Sequence, residues 1–253
     1  SARWAGQAQG AEKGYAAEDT AAPSRASRTR MALFRLLFLA VSASAKVLLI
    51  TGATGRLGVE LYNQAKASGE FSEVRALVTN CTKAVESLNA TCGDAGVFEG
   101  DVTDAASLAA AMDGVDAVAI AVGASPGDDA DRQRAVEFYG VENTAAALWQ
   151  ARGTTSPKDR QVVLCSSMGT TQPDPSPGTG GSILFWKLNA EAQLLTARLK
   201  TVVVKPCGLS KAAPSTHELV IGHDDTLLSL KVPLVPRSDV ARVMLAAIRR
   251  GDS

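Results

Sequence analysis

Lys46-Val47-Leu48-Leu49-Ile50-Thr51-Gly52-Ala53-Thr54-Gly55-Arg56-Leu57-Gly58 is the stretch whose reading decides the fold. Val47 to Ile50 is a continuous apolar run, as in a central parallel strand covered on both faces. Gly52, Gly55 and Gly58 follow at spacing G-x-x-G-x-x-G. The first permits a tight turn, the second lets a phosphate approach the backbone, and the third lets the next helix pack close to the strand. The helix N-terminus then offers free N–H groups and a partial positive charge. Thr54 and Leu57, between the glycines, belong to the same candidate surface. Strand, loop and helix in that order point to a dinucleotide; the bland alternative is an ordinary strand-to-helix turn.

Outward from the loop, Leu57, Leu61 and Ala65 line one face of a helix that Gly69 ends. Glu73 to Val78 reads as a second strand. In NAD-binding domains of this kind an acid at this strand's end holds the ribose hydroxyls. Here the chain runs Thr79-Asn80-Cys81-Thr82-Lys83, with no acid. A carboxylate would repel a 2′-phosphate, so Thr79 in its place, with Arg56 in the loop and Lys83 nearby, favours NADP and leaves NAD open. Residues 97–102 read as a third strand ending near Asp101 and Val102, and Thr103-Asp104 caps a helix through Leu108 and Met112. Residues 115–122 read as a fourth strand, residues 128–151 as one long helix, 161–167 as a fifth strand, 182–199 as a helix and 201–206 as a sixth strand ending at Pro206. Ligands of open parallel sheets sit outside the carboxyl ends of strands, which marks Val122, Gly123, Ser166 and Ser167. Residues 168–181, crowded with Pro and Gly, read as a functional loop. Residues 219–225 read as a hairpin with Asp224 and Asp225 at its tip, and a last helix runs to Ile248. Strands alternating with helices imply one α/β doubly wound parallel sheet, helices on both faces, in a single domain over residues 46–253.

The 253 residues carry 26 basic and 26 acidic side chains, so no excess of positive charge is available for nucleic acid. Four cysteines and two histidines, with no C-x-x-C pair, give a metal site no support. Cys165 lies in an apolar run and reads as a small buried side chain. Cys81 and Cys92 are open to either a bridge or a reduced state. Trp149 and Trp186 read as packing residues, and His217 and His223 as surface residues. Residues 1–45 read as a leader: a disordered first part, then Met31 to Ala45 with an apolar core and small residues at its end. A secretory signal, an organelle (plastid) transit segment and a retained amphipathic helix all remain open. On a secretory route, Asn80-Cys81-Thr82 and Asn89-Ala90-Thr91 are glycosylation acceptors.

Six groups of residues carry a resemblance: Thr51 to Gly58, Gly100-Asp101-Val102, Cys165 to Met168, Leu184-Phe185-Trp186-Lys187 with Ala190-Glu191, Lys205 to Leu209, and Val235 to Ala241. Together they resemble the atypical short-chain dehydrogenase/reductases, in particular an NAD(P)H-binding group that includes small plant and algal plastid proteins. The resemblance implies a Rossmann fold in which Gly52, Gly55 and Gly58 carry the pyrophosphate and Arg56 the 2′-phosphate. It implies Asp101 and Val102 beside the adenine, Val122 and Gly123 along the ribose, Lys187 at the nicotinamide ribose and Pro206 over the nicotinamide. Family enzymes that reduce carbonyls use Tyr-x-x-x-Lys, where the Tyr donates a proton and the Lys lowers its pKa. Here Ile183 stands four residues before Lys187, and no Tyr follows Tyr139. That leaves Ser167 and Lys187 as the candidate catalytic pair. Two readings remain: an oxidoreductase on a small carbonyl or quinone, or a non-catalytic accessory, assembly or sensor subunit of a larger membrane-associated complex. Members of the group usually continue with one more strand and helix than this chain shows.

Overall fold

The computed structural model describes residues 45–94, 96–125, 127–171, 183–214, 218–229 and 234–251. All but the last residue of the expected leader, most of the expected functional loop, and His217 lie outside them.

Six strands form one sheet: β1 (Val47–Thr51), β2 (Glu73–Val78), β3 (Val97–Glu99), β4 (Ala117–Ile120), β5 (Gln161–Cys165) and β6 (Lys200–Val204). Their order is β3-β2-β1-β4-β5-β6, and every pair is parallel. The order reverses between β1 and β4, and a crevice opens outside the carboxyl ends of strands at such a switch point. This is the doubly wound Rossmann arrangement expected from the strand and glycine pattern.

The strands are covered on both sides because their side chains alternate. Leu48 and Ile50 face a layer made by α1 (Arg56–Ser68), α2 (Cys81–Leu88) and the last helix of the chain. Leu49 faces the opposite layer, with Leu108, Met112, Val141, Leu148 and Leu194. That layer holds α3 (Ala109–Met112), α4 (Ala130–Arg134), α5 (Gly140–Gln150) and α6 (Ile183–Thr196). The chain then forms β7 (Gly208–Ser210) and β8 (Leu234–Pro236), a separate parallel pair, before α7 (Arg237–Arg250) returns to the first layer. On α1 the buried residues are Leu57, Gly58, Leu61, Tyr62 and Ala65. They pack in one cluster with Val240, Ala241, Met244, Leu245 and Ile248 of α7. Each fully buried Leu, Ile or Met contributes about 1.5–3 kcal/mol.

Several boundaries differ from the sequence reading. The strands expected to reach Val102, Val122, Ser167 and Pro206 stop at Glu99, Ile120, Cys165 and Val204. One further ladder bond follows in three cases: Gly100 N–H to Val78 O at 2.9 Å, Ala121 N–H to Thr51 O at 3.1 Å and Ser166 N–H to Val204 O at 2.8 Å. After it the chain turns off the sheet to line the crevice. The helix α2 was not anticipated. Asn80 starts it by accepting the N–H of Lys83 at 2.9 Å, and Asn89 ends it in the left-handed region at φ 51°. A disulfide joins its first residue, Cys81, to Cys92, with the Cα atoms 5.5 Å apart. The bridge settles what spacing alone left open.

The single helix expected over residues 128–151 begins at Ala130 on an Asp129 cap and is interrupted by a π turn over Ala135–Tyr139. Its buried apolar residues, Val136, Val141, Ala145 and Leu148, show the reason. The first gap is five residues long, one more than an α-helix needs to stay on one face, and the wider turn absorbs the extra residue. The hairpin expected at residues 219–225 is absent: the described part of this stretch forms no strand. It closes in a turn where Thr226 N–H donates to His223 O at 3.3 Å, followed by a 3-10 turn over Thr226–Ser229. Asp225 is committed elsewhere, as described below, and β7 pairs instead with β8.

Candidate functional site

The glycine loop is rigid for steric reasons. Gly52 has φ +69°, and a Cβ there would lie 2.7 Å from the carbonyl oxygen of Ala121. A Cβ on Gly58 would lie 2.1 Å from Gly52 O and 2.7 Å from Ala53 Cα. Gly55 N–H donates to Gly52 O at 2.9 Å and closes the turn. Helix α1 opens with no side-chain cap and no acid in its first turn. By contrast, α2 and α4 and the 3-10 turn at Ala105 are each capped by an Asn or Asp side chain. An uncapped N-terminus beside a loop with glycine at three of its seven positions is a cradle that fits an anionic pyrophosphate.

Arg56 stands exposed at the start of α1. Its charge reaches Arg237, the first residue of α7, whose pKa is lowered by burial and further by Arg56. Arg237 donates to Ser210 O at 2.9 Å. In the sequence Val235 to Ala241 starts a helix and carries part of the resemblance, but gives Arg237 no role at the site. At the end of β2, Thr79 and Lys83 are both exposed on either side of the Asn80 cap.

Asp101 points into its own loop. Its Oδ1 accepts the N–H of Thr103 at 2.9 Å and the Thr103 hydroxyl at 2.8 Å, and Oδ2 faces Arg132 at 3.5 Å. Burial works to raise its pKa, but these hydrogen bonds and the Arg132 charge outweigh it and hold the carboxyl below its ordinary range. The Val102 side chain is buried in the core, and Asn143 donates to its carbonyl at 2.9 Å.

The ends of β4, β5 and β6 are organised by side chains. Glu137, in the π turn, is 2% exposed. Its Oε2 lies 2.7 Å from Lys187 Nζ, and its Oε1 accepts the N–H of Ala124 at 2.8 Å. Val122 and Gly123 immediately precede that bond, and a Cβ on Gly123 would lie 3.7 Å from Glu137 Oε1. Cys165, at the end of β5, is buried and its thiol is pushed up to about 11, mainly by burial; Lys187 works to lower it and Glu137 to raise it. It carries no thiolate at neutral pH.

A second network lies beside the first. Ser166 is buried, and its hydroxyl donates to Glu191 Oε1 in a short hydrogen bond. Thr170 donates to the same oxygen at 2.9 Å. Lys205 Nζ lies 3.5 Å from Glu191 Oε2 and 3.7 Å from Asp225 Oδ1. Asp225 also accepts the N–H groups of Gly169 at 2.8 Å and Thr171 at 3.0 Å, and the Thr171 hydroxyl. Burial works to raise the Asp225 carboxyl, and these bonds with the Lys205 charge bring it below its ordinary range. The Ser167 hydroxyl donates to Met168 O at 3.1 Å, and Pro206 O accepts Met168 N–H at 2.9 Å.

Glu137, Glu191 and Asp225 were not singled out as site residues, although Glu137 had a signal in the sequence. It is an acid in the lengthened gap between Val136 and Val141. On α6, Ile183 lies one turn before Lys187, on the same face. Of the described tyrosines, Tyr62 is a buried residue of α1, and Tyr139, at the end of the π turn, packs beneath Arg134 at 4.9 Å. Trp186 packs with Phe138, Phe185 and Arg134. Among the described residues no group of three or more His, Cys, Asp or Glu side chains is placed to hold a metal ion, and no helix is long and apolar enough to cross a membrane.

A family model described as NAD(P)H-binding matches residues 52–250. The chain is 32% identical over 238 residues to an uncharacterized chloroplastic protein of Arabidopsis thaliana, covering 85% of this chain and 70% of that one. It is 28% identical over 240 residues to sanguinarine reductase of Eschscholzia californica, covering 83% and 86%. Among solved structures, a Bacillus halodurans protein assigned as an NAD-dependent epimerase/dehydratase superposes with TM-score 0.61 at 22% identity, covering 81% of this chain and 89% of that one.

Proposed function

This chain belongs to the NAD(P)H-binding family of atypical short-chain dehydrogenase/reductase type, and on that premise we propose that it binds NADP(H) and passes hydride to a small carbonyl or quinone. The observation that carries the reading is the Lys187 ammonium, held by Glu137 at 2.7 Å beside the loop that follows β4. In this reading the backbone of Gly52, Thr54, Gly55, Leu57 and Gly58 receives the pyrophosphate, Gly55 by leaving room for it, because its own N–H is bonded to Gly52 O. Arg56 takes the 2′-phosphate next to Thr79, where an acid would repel it. Asp101 and the backbone of Val102 flank the adenine. Val122, Gly123 and Ser166 line the ribose, and Pro206 closes the nicotinamide end.

The bound dinucleotide supplies the hydride. Lys187 and the Ser167 hydroxyl orient the acceptor oxygen and stabilise the negative charge that hydride addition leaves on it. Ile183 donates no proton, so the reaction suits an acceptor whose reduced anion can wait for a proton from water. A quinone meets that condition better than a simple ketone, because its reduced oxyanion is a phenolate of moderate pKa. Sanguinarine reductase supports a reductase reading, and the chloroplastic relative supports a plastid route for a leader over residues 1–45.

A second reading rests on the same absence of a Tyr before Lys187. Here the domain holds a dinucleotide without turning it over, as an accessory or sensor subunit of a larger membrane-associated complex. NADPH fluorescence titrated with purified chain, followed by quinone and carbonyl panels, separates the two. Turnover of at least one acceptor, lost in the paired variant Glu137→Gln/Lys187→Met, supports the first. Binding without turnover supports the second. A chain that binds neither NADPH nor NADH overturns both.

A further inference from the structure

We propose that Glu137 is a positioning residue for the nicotinamide half of the dinucleotide, and that it acts by tying two walls of the crevice together. The proposal rests on the reading that the crevice takes a dinucleotide, and goes beyond it by giving a task to a residue outside the glycine loop. One carboxylate oxygen holds the Lys187 ammonium of α6 at 2.7 Å, and the other holds the Ala124 N–H, in the loop after β4, at 2.8 Å. Residues 122–124 and Lys187 come from elements more than sixty residues apart in the chain. Glu137 is the group that bonds to both.

A purely structural role explains this arrangement poorly. A carboxylate that is 2% exposed must shed its water, a loss that its bonds have to offset. Around it α5 and α6 pack through Val141, Ala145, Leu148, Ala190 and Leu194, and an apolar pair at 137 and 187 would serve that packing as well. The backbone is also committed to the residue. The π turn over Ala135–Tyr139 inserts a residue into the helix and keeps Val136 and Val141 both buried, with Glu137 buried as well. Such turns are rare and concentrate at functional sites. With both oxygens in use, Glu137 sets where the Lys187 ammonium sits and how the 122–124 backbone is presented. Neither group needs to touch the adenosine half.

The test compares two ligands on one protein. NADPH carries both halves; adenosine 2′,5′-bisphosphate carries only the adenosine half. Glu137→Gln keeps the size of the side chain and an oxygen for Ala124, but removes the charge that holds Lys187. The expected result is an NADPH Kd weakened about tenfold, the effect of losing one charge-assisted contact, with the bisphosphate Kd unchanged within about twofold. Equal weakening of both ligands, or an unchanged NADPH Kd, overturns the assignment. If Glu137→Gln leaves Lys187 unpaired and the fold fails, Glu137→Asp keeps the charge but shortens its reach by one methylene, and carries the same comparison with Lys187 in place. Failure of the underlying reading looks different: wild-type chain would then bind neither ligand. Amide exchange at Ala124 adds a readout that needs no turnover, with faster exchange expected in Glu137→Gln.

Discussion

Around β1 and β2 the crevice is lined by backbone. Gly52, Gly55 and Gly58 carry no side chains where the strand turns into α1, and the helix opens without a cap. Around β4, β5 and β6 the same crevice is lined by charged side chains paired across the fold, Glu137 with Lys187, and Lys205 with both Glu191 and Asp225. Two kinds of site follow. The backbone half presents its N–H groups through local conformation, so it is sensitive to the volume of one methyl group and indifferent to most charge changes. The side-chain half depends on contacts between distant residues, so it tolerates small changes of volume and is sensitive to the loss of one charge.

The contrast breaks most visibly at the glycines. Gly58→Ala forces a Cβ to 2.1 Å from Gly52 O, where only backbone could give way. The expected loss is at or above the upper end of the about 1–3 kcal/mol typical of overpacking, read as a fall in thermal midpoint together with loss of NADPH binding. Gly123→Ala, in the other half, meets nothing nearer than Glu137 Oε1 at 3.7 Å. Its expected cost is within about 0.5 kcal/mol. Equal effects at the two glycines would erase the distinction.

The next effect is that of the disulfide beside the backbone half. Cys81 and Cys92 are 11 residues apart in sequence, and their bridge ties the start of α2 to the approach to β3. Cys81→Ser/Cys92→Ser is expected to lose about 2–3 kcal/mol, the scale for closing a loop of this length. The same drop should follow treatment of the wild-type chain with a reductant and should vanish in the double variant. A reductant effect of equal size in both would place its origin elsewhere.

The smallest expected effect lies in the side-chain half. The Asp225 carboxyl is held below its ordinary range, so its contribution is present above about pH 4, the unfolded value. It is lost as pH falls through the lower folded value. Asp225→Asn should mimic the acid form at neutral pH and cost about 1 kcal/mol. Faster exchange of the Gly169 and Thr171 amides, which donate to this carboxylate, is the measurement. Exchange that stays unchanged in the variant would remove Asp225 as the tie between these segments.

How much could be read in advance follows the same division. The glycine loop was legible because strand, turn and helix start lie within thirteen consecutive residues, and each glycine has a local steric reason. The order of strands and helices was legible from alternating apolar runs. The partners of Lys187, Ser166 and Asp225 were not. Lys187 was assigned to the nicotinamide ribose without sight of Glu137, fifty residues earlier. Asp225 was read as the tip of a hairpin because a Gly-His-Asp-Asp string marks a turn. Nothing local could reveal that its carboxylate bonds residues more than fifty positions away. The Cys81–Cys92 bridge was undecided for a related reason, since the helix that sets the direction of Cys81 depends on the Asn80 cap.

What the sequence by itself determined is the backbone of this protein: a parallel sheet, a glycine loop at the end of its first strand, and an uncapped helix behind it. Those features depend on neighbours a few residues apart, where propensity, sterics and capping act without knowledge of the rest of the chain. What only the tertiary structure decided is where the charges go. An ion pair between Glu137 and Lys187 exists because β4, the π turn and α6 meet at one place. The burial that makes the pair matter is a property of the packed layers and not of either residue.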